Sequence, residues 1–224
     1  MSEHHPGLAH HFEDMQQQRE SAELGMWLFL VTEFMFFGGL FMAYLAYRYW
    51  HPDGFAAASL EMDIVLGTAN TAVLLTSSLT MALAVHAAQL SKRKHLIAYL
   101  SATTILGLAF LGVKAYEYYQ KFLHHHVPFG GRHFEWDGAH RQGAEMFFNL
   151  YFAMTGLHAF HMIIGAVMLV TLIVMAWRGG LLGDRSIIVH NAGLYWHFVD
   201  LVWVYLFPFL YLVTSRGGAT GGGH

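Results

Sequence analysis

His197 and Asp200 stand three residues apart in the run Tyr195-Trp196-His197-Phe198-Val199-Asp200, which continues to Val202-Trp203 inside an otherwise apolar segment. At that spacing both lie on one helical face, where Asp200 could orient the imidazole. No Ser or Cys nucleophile is placed with them, so acyl-transfer chemistry has no attacking group. His158 and His161 repeat the spacing on another segment, with His86 on a third. Imidazole suits iron, copper and zinc, but a bis-imidazole haem needs two histidines at matched depth on facing helices. Neutral imidazole also serves as an interhelical hydrogen-bond donor, and the pattern favours that packing role over a cofactor. Glu33 is the sharpest single candidate. Its neighbours one turn away, Phe29, Leu30, Phe36 and Phe37, form an apolar collar that disfavours the ionised form. It reads either as a protonatable group beside a lipid site or as a buried acid hydrogen-bonded to a neighbouring helix.

The other candidates lie at segment ends and in polar stretches. Arg178 and the run Lys92-Arg93-Lys94 flank apolar segments. Basic residues there either anchor a helix or hold anionic lipid headgroups, and Arg178, Arg93 and Lys94 are the headgroup candidates. Glu117 closes a third apolar segment beside Lys114 and Tyr118, as a structural polar group. His124-His125-His126 and His133 share one loop, and His4, His5, His10 and His11 precede the first apolar run. Such clusters bind adventitious metal, but nothing in their spacing fixes a tetrahedral site. They read as solvated. No nucleotide-binding loop, nucleophile elbow or paired-acid set stands out.

The elements that must position these residues are membrane helices. Of 224 residues, 55% are hydrophobic and 12% charged, about half the charged share of a soluble domain. With no Cys there is no disulfide, thiolate metal site or iron–sulfur cluster. The net charge of −3 and the absence of a long basic run argue against nucleic acid. A span needs about 20 mostly apolar residues, and five segments qualify, near 24–47, 64–90, 96–119, 144–177 and 189–214. The fold class expected is all-α, an integral membrane bundle of five helices. The second segment is rich in Thr and Ser, whose hydroxyls can bond back to the helix or across to a neighbour. The fourth is longer than a bilayer requires, so it tilts or projects. Residues 1–23 are polar and of mixed charge, unlike a cleaved signal, and the Gly-rich end, 215–224, reads as a flexible tail around the single domain 24–214.

Basic residues near span ends divide almost evenly. Arg19, Lys92, Arg93, Lys94, Arg178 and Arg185 fall on one side; Arg48, Lys121, Arg132, Arg141 and Arg216 fall on the other. The tight cluster 92–94 on a short loop places the N-terminus inside and the C-terminus outside.

Five stretches resemble one family in order and spacing. They are Gly25 to Glu33 with Phe36-Phe37; Asn70 to Ser78 with the short loop Arg93-Lys94-His95; Leu106 to Phe110 through Glu117-Tyr118; Thr155-Gly156-Leu157-His158-Ala159-Phe160-His161 with Gly165; and Tyr195 to Asp200. Together they resemble subunit III of the haem-copper cytochrome c oxidases, in a five-helix form lacking the first two helices of the longer form. The resemblance implies a non-catalytic, all-helical subunit. It would carry no redox centre or metal of its own, with haem and copper in partner subunits. It would pack against catalytic subunit I and other oxidase subunits, hold phospholipids, and sustain proton uptake during oxygen reduction. It would sit in the bacterial inner membrane, N-terminus cytoplasmic. The electron donor docks elsewhere in such a complex, so the resemblance leaves open cytochrome c or quinol as donor, and equally membership of a larger respiratory supercomplex. Two positions depart from the family pattern: Lys114 stands where Gln is common, and His190 where Glu is common. The competing classes are the subunit-III-like protein associated with nitric oxide reductase, a haem-carrying electron-transfer bundle, and an ion transporter. A transporter would string charged groups along one path, whereas the core of the first span has Glu33 alone.

Overall fold

The computed structural model describes residues 14–123, 136, 140–179, 181 and 186–212. Among the described residues six α-helices follow one another: α1 Met15–Trp50, α2 Pro52–Ser59, α3 Ile64–Gln89, α4 Arg93–Leu123, α5 Arg141–Trp177 and α6 Ser186–Phe207, the last continued by a π-helical turn, Pro208–Leu212. All of these but α2 are long and apolar enough to cross a membrane, which bears out the five-span expectation.

Local chemistry sets the helix ends. Asp14 caps α1 by accepting the Gln17 amide at 2.7 Å, and Asp63 caps α3 by accepting the Leu66 amide at 2.9 Å. Helix α1 stops at His51-Pro52 because proline cannot continue the hydrogen-bond ladder but suits the first turn of α2. Between α3 and α4 the chain reverses in a Schellman turn. Ser91 takes a left-handed φ of 56°, its amide reaching Ala88 O at 3.1 Å while the Lys92 amide reaches Ala87 O at 2.9 Å. Pro208 removes the donor that Val204 O would otherwise receive, and the helix widens there into the π-turn.

The helices run past their apolar cores. Residues 15–23, assigned to a polar leading segment by composition, already belong to α1. The stretch after Pro52, which carries no span signal, is helix α2, which packs on α5. There Gly54 and Gly143 let two backbones meet, since a Cβ on Gly54 would lie 2.6 Å from Gly143 Cα.

Helices α3, α4, α5 and α6 make the core, with α3 against α4 and α6, and α5 against α4 and α6; α1 lies outside, against α5 and α6. Trp196 joins these layers. Its Nε1 donates to Ser77 Oγ of α3 at 3.0 Å, and its ring lies between Gly107 of α4 and Gly165 of α5. Two turns further on, Trp203 Nε1 donates to Thr71 Oγ1 at 3.0 Å, and its ring meets Phe110 edge-on at 4.8 Å. The α3 hydroxyls behave as expected. Thr68, Thr71 and Thr76 bond back to their own helix, while Thr80 reaches Thr103 of α4 at 2.8 Å.

A Cβ on Gly107 would lie 2.7 Å from Trp196 Cη2, whereas one on Gly39 meets nothing within 4 Å. Gly107→Ala is therefore expected to destabilise the bundle by about 1–3 kcal/mol, and Gly39→Ala to leave it unharmed. Thermal unfolding in detergent measures both, and equal midpoints would remove the Trp196 socket from the account.

Candidate functional site

Among the described residues, polar groups meet across helices inside the bundle, and three of these clusters bring ionisable side chains together. Helix α4 carries Lys114 and Glu117 three residues apart, both 5% exposed, with Lys114 Nζ 2.7 Å from Glu117 Oε2. Tyr151 of α5 donates to Glu117 Oε1 at 2.8 Å, and Tyr211 of the π-turn donates to the same oxygen. Lys114 Nζ donates to Tyr211 Oη at 2.7 Å and lies 4.4 Å from the centre of the Trp203 ring. The pair is thus closed by hydrogen bonds on both sides, as a charge at this depth requires. Lys114, a departure from the family pattern, is turned inward to a partner on its own helix.

The second cluster is Glu33 with His161. Their Oε2 and Nε2 are 3.1 Å apart, and the Glu33 side chain remains 20% exposed on the flank of α1. Of the two readings open for Glu33, the hydrogen bond to a neighbouring helix is present. His161 Nδ1 lies 2.9 Å from Leu157 O. A carbonyl only accepts, so Nδ1 carries hydrogen. A neutral His161 then offers Nε2 as an acceptor and Glu33 must donate to it; otherwise an imidazolium donates to a carboxylate. Either way the bond holds one proton and the pair is neutral overall. Tyr195 Oη donates to His161 O at 3.1 Å, and Phe37 meets the imidazole edge-on at 5.4 Å. Phe37 also lines an apolar groove of about 340 Å³ between α1 and α6, with Phe34, Phe41, Phe198, Val202 and Phe209.

The third cluster contains His197 and Asp200 of α6. Helix α3 brings Ser78 Oγ to 2.7 Å from His197 Nδ1, a hydroxyl that no local pattern in 195–203 could have indicated. The group is not a nucleophilic triad. Asp200 is 4% exposed and its oxygens accept no hydrogen bond among the described residues, with Ser78 as its polar neighbour. No backbone amides are free inside α6 to hold an oxyanion. His158, 1% exposed, lies between Phe110 and Trp203 at 5.5 and 5.3 Å, with neither ring nitrogen hydrogen-bonded among the described residues. So His158 and His161, though one face by spacing, have different surroundings: one aromatic, the other acidic.

At the end of the bundle where α4 begins, Arg93 Nε donates to Ala176 O at 2.8 Å and its guanidinium also bonds Trp177 O. Arg93 thereby caps the C-terminus of α5 and complements its dipole. This brings Lys92, Lys94 and Arg178, all exposed, to one corner. The histidines at 4, 5, 10, 11, 124–126 and 133 lie outside the described residues. Among the described residues no group of three or more His, Cys, Asp or Glu is arranged to hold a metal ion.

The family model for cytochrome c oxidase subunit III matches residues 8–215. The chain belongs to that family. As a subunit III it is an integral membrane component of an oxidase complex, the helical form that its five spans describe. It is 33% identical over 212 residues to cytochrome c oxidase subunit 3 of Alkalihalophilus pseudofirmus, covering 94% of this chain and 96% of the relative, so the two share nearly one length. It is 31% identical over 199 residues to cytochrome c oxidase subunit 3 of Thermostichus vulcanus, covering 85% of this chain and 87% of that one. Cytochrome bo(3) ubiquinol oxidase subunit 3 of Pseudomonas aeruginosa is 30% identical over 189 residues, covering 84% and 83%. Relatives named for either donor thus stand at similar identity.

In this subunit III, Glu33→Gln preserves a donor to His161 Nε2, whereas Glu33→Ala leaves that nitrogen unpaired at a cost of about 1–3 kcal/mol. Alanine should lower the unfolding temperature in detergent and glutamine should not. Equal behaviour of the two variants would mean that the bond is not made.

Proposed function

We propose that this chain is a non-catalytic buttress of oxidase subunit I near its proton-uptake site, and that it holds phospholipids which sustain turnover. The single observation that carries this reading is the Glu33–His161 pair, which keeps one proton beside a lipid-facing groove. A carboxyl group at membrane depth is costly unless it has a partner or a task. Here the partner leaves Glu33 partly open to the bilayer. The exposed Lys92, Lys94 and Arg178 at one corner offer charge to anionic headgroups. Arg93, engaged by α5, shapes that corner and is the least available of the headgroup candidates. His158, His197, Asp200 and Glu117 serve as polar packing groups between helices. Haem and copper belong to the partner subunits.

The basic run 92–94 at the start of α4 supports an orientation with the N-terminus in the cytoplasm and the C-terminus outside a bacterial inner membrane. The Lys114–Glu117 cluster then lies in the outer half of the bilayer and the basic corner at the inner face.

Removal of the chain from the purified complex tests this function. Initial oxygen reduction should stay largely intact while inactivation during turnover accelerates, and return of the chain with phospholipid should slow it again. An immediate and complete loss of electron transfer to oxygen would contradict the buttress role.

A further inference from the structure

The Lys114–Glu117 cluster enters the reading above only as packing, yet both of its charges are hydrogen-bonded across three elements. Two of the three Lys114 donor directions go to Glu117 Oε2 and Tyr211 Oη, each at 2.7 Å, and the ammonium faces the Trp203 ring. Glu117 Oε1 accepts from both Tyr151 and Tyr211. Tyr211 belongs to the π-turn that Pro208 imposes, so the widened turn aims it at α4. The same turn reaches the other way. Tyr44 of α1 donates to Phe209 O at 2.7 Å, and the Phe209 ring packs on Phe41 and Tyr44 at 5.3 and 6.1 Å. Helix α1 is otherwise the outlying span, tied to the bundle by Glu33–His161 at mid-length and by Asn191 Nδ2 to Ala22 O at 3.3 Å near its start.

We propose that the Lys114–Glu117 ion pair is a lock that seats the C-terminal π-turn through Tyr211, and that the seated turn holds the far half of α1 on the bundle through Phe209. The lock selects a register. An ion pair buried this deeply contributes little net stability over an apolar pair, but removing one partner strands the other's charge. Only with both charges present is Tyr211 Oη drawn between them, because it must accept from Lys114 while donating to Glu117. The groove between α1 and α6 depends on the same seat, since Phe209 forms one of its walls.

Amide hydrogen exchange by mass spectrometry on the full chain in its detergent-purified complex tests the lock. Tyr211→Phe leaves the ion pair in place and cuts its bonds to the turn. Exchange in 41–50 and 205–212 should then rise by about tenfold or more, with 70–90 unchanged, as local opening of one unit requires. Lys114→Met and Glu117→Gln should each have the same local effect and a lower unfolding temperature, whereas the double variant should regain thermal stability without regaining protection at 41–50. Unchanged protection at 41–50 in Tyr211→Phe would overturn the proposal, as would loss spread equally through 70–90. A double variant less stable than both singles would overturn the register argument. Should the single charge variants fail to accumulate, Tyr211→Phe and the double variant still decide it.

Discussion

A polar group at bilayer depth finds its hydrogen-bond partner within the protein or pays heavily, and the architecture of this subunit follows from that constraint. Trp196 shows it most plainly. One indole N–H needs an acceptor, Ser77 supplies it, and the ring's bulk then demands glycine at 107 and 165. Three helices are thereby held to α6 by one side chain. The aromatic run that looked like a guarded active centre is the joint of the bundle.

The same constraint sorts the ionisable residues by what lies across from them. Glu117 faces a lysine and two tyrosines and is sealed. Glu33, on the flank of the outlying helix, faces one histidine. Although both are acids in apolar spans, one is fixed within the packing while the other remains partly exposed on α1. That difference is why the proposed role rests on α1 and its groove rather than on the polar core.

Much of the fold was legible in the sequence. Hydropathy marked all five spans, and the family pattern set their order. The start of α3 fell where hydropathy put it, at Ile64, whereas α1 begins well before its apolar stretch because Asp14 caps it there. Helix α2 was missed because eight residues with Pro and Gly carry no span signal, and tertiary packing on α5 holds them. Of the sites, individual residues were visible but their partners were not. Ser78 for His197, His161 for Glu33, and Tyr151 and Tyr211 for Glu117 are 34 to 128 residues apart in sequence. Such pairs are set by the rotation and depth of neighbouring helices, which periodicity within one helix does not encode. Lys114 stood in the sequence beside Glu117 and as a family departure, but their spacing of three, a recognised helix pairing, did not reveal the tyrosines that close the pair.

The central claim is that this chain is a cofactor-free, lipid-holding member of an oxidase complex. Mass spectrometry of the intact complex, released gently from mild detergent, addresses it in one measurement. The account predicts this chain among other oxidase subunits, with phospholipid mass retained on it and haem mass leaving only with its partners. Haem travelling with this chain, or a chain that carries neither subunits nor lipid, would contradict it.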